Sequence, residues 1–177
     1  MRCSMSLTSQ RFINFLEIGW KSILPKHIIF LTVGFCLFNF FCSGSEKSNL
    51  APPARVVIQS QDKEVLVLVE LAKTREQKER GLMFRQELEE NRGMLFIEPY
   101  PKLLQFWMKD TYIPLDLIFI GEDMKIKGII KNAKPQSTES LAIDRLSRFV
   151  LEVNAGFADK HNVKEGDAVK FLGFTVE

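Results

Sequence analysis

Beyond Ser43 the chain contains no cysteine, and beyond His27 it contains a single histidine, His161. A disulfide scaffold, a zinc–thiolate centre, a thiol nucleophile and a multi-histidine metal site within one chain are therefore excluded from the body of the protein. Excess charge of one sign is also missing. The formal net charge is +2, and the first 45 residues supply it, with Arg2, Arg11, Lys21 and Lys26 against Glu17 alone. The remainder is close to neutral, so no basic face for nucleic acid is implied. Ser137, Ser140 and Ser147 lie in a polar stretch without the G-x-S-x-G context of a serine hydrolase. "KEGDAV" reads as a turn, not as a phosphate loop.

Long apolar runs are scarce too. The one that stands out is "IIFLTVGFCLFNFF", about 14 residues behind Lys21, Lys26 and His27. A spanning helix needs about 20. Length and positive flank suit the apolar region of a secretory leader, with Met5 as an alternative start. Three outcomes stay open at its end. Cys42 sits where a lipoprotein leader would be cut and its cysteine lipidated, although Phe41 is bulkier than that pattern wants. Ser43 and Ser45 satisfy a small-x-small site for cleavage after Ser45, and an uncleaved anchor is the third. The expected organisation is a leader over residues 1–45, a polar, proline-bearing tether over 46–54, and one domain over 55–177.

What the body does contain is strand-forming sequence. "RVVIQS" and "EVLVLVELA" flank a polar turn, and the second run, apolar on both faces, predicts a buried strand. Thr74 with Gln77 forms a capping-box signature, predicting a short helix from about Arg75 to near Phe84. "GMLFI" predicts a short strand ended by Pro99 and Pro101. Gln105 to Lys109 and Leu115 to Ile120 read as the two arms of a hairpin about "DTYIP". "MKIKGIIK" and "RFVLEVN" are further strands about a long polar connection, followed by a short helix in "AGFADKHN" and a last strand after Gly166. About seven short strands and two short helices, without alternating βα units, predict a mostly β fold of the β-rich α+β kind: a small barrel or strongly curled sheet.

"RGLMFR", "GMLFI", "FWMKDTYIPLDLIFI" and "VLEVNAG…EGDAV" follow one another in the order and type of the domain of unknown function 192 family, which the chain resembles over roughly Val56 to Phe171. Four separated motifs together make the resemblance specific. It implies a compact, mostly β domain of the kind often found behind bacterial signal or lipoprotein leaders. It implies no particular reaction, substrate or cofactor.

The charged members of these motifs are the candidates for chemistry. Arg80 and Arg85 could cap helix carbonyls or pair with Glu152, or as planar guanidinium forks hold an anionic ligand. Gly81 between them costs roughly 1 kcal/mol inside a helix, which close packing or a nearby ligand would explain. Lys109 and Asp116, near the turn ends of the expected hairpin, could be a cross-strand pair worth roughly 0.2–1 kcal/mol. In a site, Lys109 would act as an anion clamp or electrophile with Asp116 or Glu152 as acid/base partner. Trp107 would contribute a ring face to a ligand. Met83, Met94 and Met108 are soft donors of the kind that select Cu(I), and equally the usual gap-fillers of a core. His161 sits at a helix end, where the dipole favours it.

Without a nucleophile–base pair, a metal cluster or a nucleotide loop, the sequence reads as a non-catalytic binding or accessory module for a small ligand or an envelope protein. It is expected to be extracytoplasmic, attached to a membrane through leader or lipid, monomeric and free of cofactor. The alternative is an enzyme using Lys109, Asp116 and Glu152 on an anionic or polysaccharide-like substrate, and the second alternative a Cu(I) carrier.

Overall fold

The computed structural model describes residues 52–61 and 63–176. The expected leader, Cys42 and most of the expected tether lie outside the described residues.

The polar "SQDK" segment reverses the chain between β1 (Arg55–Ser60) and β2 (Lys63–Ala72), with Gln61 at φ 53°. The two strands pair in an antiparallel hairpin. β2 is not buried on both faces. Val65 and Val67 point inward, whereas Leu66 stays 44% exposed. The outward face of β2 is covered only in part, so apolar composition there does not translate into burial.

α1 (Arg75–Arg80) begins with the expected capping box: the Thr74 hydroxyl accepts from the Gln77 N–H, and the Gln77 carboxamide oxygen accepts from the Thr74 N–H. It ends four residues earlier than its pattern implies. Gly81 takes φ 48° and ψ −134° and directs its N–H back to the Gln77 carbonyl, a backbone state that side chains other than hydrogen resist.

β3 (Arg92–Lys102) runs through both prolines. Gly93 to Ile97 pair regularly with β8 (Ser147–Asn154), and the register then shifts before Lys102 meets Ser147. Pro99 and Pro101 offer no N–H there, so they break the ladder without ending the strand.

The expected hairpin between residues 105 and 120 does not form. β4 (Gln105–Phe106) pairs with β7 (Leu141–Ala142), which lies inside the long polar connection. β5 (Leu115–Ile120) pairs instead with β6 (Ile126–Ala133) and with β8. Every residue of β5 is buried, as expected of an interior strand covered on both faces and flanked on both edges. α2 (Phe157–Lys160) and β9 (Ala168–Leu172) complete the domain, and β9 pairs with β1.

The main sheet has seven strands in the order β6-β5-β8-β3-β2-β1-β9. Its outer strands approach each other. Lys125 and Ala168 form an isolated bridge, Ile126 N–H donates to Asp167, and Val169 N–H donates to Met124. The sheet is thus curled into a barrel-like form, and the mostly β expectation with two short helices holds.

Alternation along the strands divides the core in two. Ile118, Ile120, Phe149, Leu151 and Val153 point to the inside of the curl, with Val56, Val67 and Val169. Leu117, Phe119, Met94, Phe96 and Val150 point to the outer face, under Leu82, Leu104, Met108 and Ile113. Those covering residues come from irregular segments, and one candidate site lies where they meet the sheet.

Candidate functional site

Glu152 is carried by β8 opposite Met94 of β3 and Leu117 of β5. Its neighbours on the same strand, Leu151 and Val153, face the inside of the curl, so Glu152 faces outward into the second apolar cluster. It is only 5% exposed. Gly93 brings β3 close at this point, since a Cβ there would stand 2.4 Å from the Glu152 carbonyl oxygen. No donor among the described residues reaches Glu152 Oε2. Burial alone pushes the carboxyl up to about 8, so it is a neutral acid at pH 7.

This acid lies in the wall of a cleft of about 550 Å3. Phe96, Leu104 and Phe106 make the apolar wall, with Phe96 and Phe106 edge to face at 5.1 Å between centroids. Leu103 and Trp107 stand at the mouth, 57% and 56% exposed. Gln105, Thr111, Thr138 and Ser140 add neutral hydrogen-bonding groups. Gly81 also lines the cleft, where a Cβ would stand 3.2 Å from the Phe96 ring. The volume and the mix of apolar wall with few polar groups suit a small-molecule site.

The rim is cationic. Lys78 and Lys102 both contact Glu98, at 3.1 and 2.8 Å. Burial opposes the ionised form of Glu98, yet hydrogen bonds from Lys102 and Lys78 hold it below the usual carboxylate range. Glu79 pairs with Arg75. Arg80, in the last turn of α1, is exposed and makes no ion pair or side-chain hydrogen bond among the described residues. A neighbouring depression of about 740 Å3 is lined by Lys73, Arg75, Lys78 and Glu98 with Ile97, Pro99 and Val176, and its one partly buried carboxylate is already satisfied.

Of the sequence-predicted residues, the cleft gathers Arg80, Met83, Trp107 and Glu152. Arg85 is elsewhere. It makes a bidentate pair with Glu70 at 2.7 and 2.6 Å, not with Glu152, and that contact lowers the Glu70 carboxyl. Lys109 and Asp116 are not cross-strand neighbours, because β4 and β5 do not pair. Lys109 is exposed and makes no ion pair among the described residues. Asp116 is fully buried opposite Val153, on the inside face of the curl. Its two oxygens accept the Asn132 and Ala158 N–H groups, each at 2.9 Å. Asp116 and Glu152 therefore occupy opposite faces of the sheet, and the Lys109–Asp116–Glu152 set does not converge. Met94 and Met108 belong to the outer core, and Met83 lines the cleft. His161 closes α2 against Phe157, at 4.6 Å between ring centroids; desolvation and then Lys160 lower its basicity. Among the described residues no cluster of three or more His, Cys, Asp or Glu side chains is arranged to hold a metal ion.

Sequence reasoning did not single out Phe96, Phe106, Thr111 or Thr138 for a site, and considered Ser140 only as a hydrolase nucleophile. Their signal was absent locally, since the cleft is assembled from five separated segments. The same outer-face assembly places all four recurring motifs in one domain, and here comparison with known proteins is decisive. The model of domain of unknown function 192, described as an uncharacterized ACR, matches residues 56–171. The chain belongs to this family. Two solved structures share the fold. A protein of unknown function from Novosphingobium aromaticivorans DSM 12444 is 37% identical, with a TM-score of 0.64, over 66% of this chain and 83% of that one. A protein from Sinorhizobium meliloti 1021, named as a proposed transcription regulator, is 34% identical, with a TM-score of 0.66, over 70% of this chain and 97% of that one. No curated protein matches the chain.

Proposed function

We propose that this member of the domain of unknown function 192 family is an extracytoplasmic binding module that takes a small ligand into the cleft beside Glu152. The observation that carries the reading is the buried Glu152 Oε2 without a partner in the wall of an aromatic cleft. An unmet buried hydrogen-bonding group costs roughly 1–3 kcal/mol. A fold retains such a cost where a ligand removes it. As a neutral acid, Glu152 donates one hydrogen bond and accepts others, which suits a hydroxyl, carbonyl or amide on the ligand. The leader before residue 46 supports attachment outside the cytoplasm, with Cys42 as the lipidated residue.

The test is a fragment screen by NMR on the labelled protein, followed through the Trp107 indole and the Thr111 and Ser140 amides. The expected result is a set of fragments that perturb these signals in wild type and not in Glu152→Leu. Fragments that perturb both proteins equally would sink the reading.

One observation favours catalysis as a second reading. A carboxyl poised at about 8 is suited to general acid work near neutral pH. In that case Glu152 acts without Asp116, which faces the other side of the sheet. Turnover by wild type that disappears in Glu152→Gln would replace the binding reading.

A further inference from the structure

The geometry points to a small amphipathic anion as the ligand of the cleft: a ring-bearing apolar body along Trp107 and Phe106, with its anionic group on Arg80. This rests on the reading of the cleft as a binding site and specifies what fills it.

Three observations converge. First, the cations of the rim are unequally engaged. Lys78 and Lys102 share one carboxylate, Glu98, and Glu79 is taken by Arg75. Arg80, the arginine that lines the cleft, has no partner among the described residues, and the lysine pair around Glu98 leaves a further positive excess beside it. A planar guanidinium with all its donors available matches a carboxylate or sulfonate in a bidentate contact. Second, Trp107 is a large ring left 56% exposed at the mouth, next to the buried-side rings of Phe106 and Phe96. A flat apolar body would cover it, and aromatic contacts of this kind add about 0.5–1.5 kcal/mol beyond the area they bury. Third, the buried polar groups of the cleft, Glu152 and Thr111, include no cation, whereas Arg80 is exposed. A ligand with its charge beside Glu152 would have to desolvate that charge against an acid with no counterion. The anion therefore belongs at the rim, and a neutral polar group belongs at Glu152.

The position of Arg80 fits that role. Gly81 ends α1 directly after it, so the guanidinium is carried at a fixed helix end beside the cleft, not on a loop. Arg80 also borders the adjoining depression of about 380 Å3 that holds Arg85 and Glu70. Arg85 is committed there to its bidentate contact with Glu70, which leaves Arg80 to serve the cleft.

The experiment is calorimetric titration of the full chain in nanodiscs, with empty nanodiscs subtracted, at about pH 6.5, below the Glu152 value of about 8. The probes are 2-naphthoate, 2-naphthamide and 2-naphthylmethylammonium, which share a ring body and differ in charge. The expected result is naphthoate binding more than about tenfold tighter than naphthamide, with the ammonium weakest, since a charge-assisted contact is stronger than a neutral one by that order. Arg80→Gln should collapse the naphthoate-to-naphthamide ratio to about one, and Arg80→Lys should restore part of it. Naphthamide binding that depends on Glu152 without any preference for naphthoate would overturn the anion assignment and leave the cleft reading standing. A preference that survives Arg80→Gln would overturn it as well. Absence of binding by all three probes, or equal binding to Glu152→Leu, would overturn both.

Discussion

Asp116 Oδ2 accepts the Ala158 N–H at 2.9 Å across 42 positions of sequence, while Oδ1 accepts the Asn132 N–H at the same distance. One fully buried side chain thus fastens the end of β6, where Asn132 takes φ 51°, to the first turn of α2.

Asp116→Asn should therefore destabilise the domain by about 1–3 kcal/mol, because an amide nitrogen cannot accept and one buried N–H is left unmet. Lys109→Met should stay within about 0.5 kcal/mol, as expected for an exposed side chain without an ion pair. Urea unfolding of the two variants compares them directly. A larger loss for Lys109→Met would reverse the assignment of Asp116 as the structural residue.

Glu152 makes stability depend on pH in an unusual direction. Its carboxyl sits at about 8 in the fold against an ordinary value of 4.5. The folded state keeps a proton that the unfolded chain has released. Its contribution is complete below about pH 4.5 and is lost as pH rises through about 8. Glu70 and Glu98 work the other way. Hydrogen bonds from Arg85, and from Lys102 and Lys78, hold them low, so their contribution is lost as pH falls. Unfolding midpoints should decline from mildly acidic pH towards about pH 8. Glu152→Gln should flatten that decline, and an unchanged slope would place the titrating group elsewhere.

Gly81→Ala should lower the melting temperature, with a cost of about 1–3 kcal/mol. The new side chain would have to adopt φ 48° with ψ −134° and press its methyl to 3.2 Å from the Phe96 ring. Thermal melts report the loss. A neutral result would mean that the α1 terminus relaxes away from the cleft wall.

Cys42 is expected to carry lipid. An alkyne fatty-acid analogue supplied to growing cells should label the wild-type chain and leave Cys42→Ser unlabelled. Equal labelling of the two would favour cleavage after Ser45 or an intact leader.

Local physics made much of the fold legible. The Thr74–Gln77 capping box, the β1–β2 turn and the turn at Gly166 all depend on neighbours a few residues apart. The failures share a cause. β5 is apolar at five of six positions, which marks a strand but not which strands flank it; β6 and β8 do, and β4 does not. The end of α1 was hidden because Gly81 is compatible with a helix at modest cost, and its φ of 48° shows only in the folded chain. At the site, Arg80, Trp107 and Glu152 were legible as residue types in recurring motifs. Their convergence was not, because which face of β8 carries Glu152 depends on a register that only the assembled sheet defines.

The pairing of β1 with β9 joins Arg55 to Leu172, the first and last strand residues in the described sequence. The first strand to be synthesised waits for the last before its free edge is covered, and until then its N–H and C=O groups are open to other chains. Closing so wide a loop is slow relative to local helix or hairpin formation. A chain cut short before Ala168 would thus keep the outer edge of β1 uncovered, and its β1–β2 hairpin would be open to pairing with a second copy.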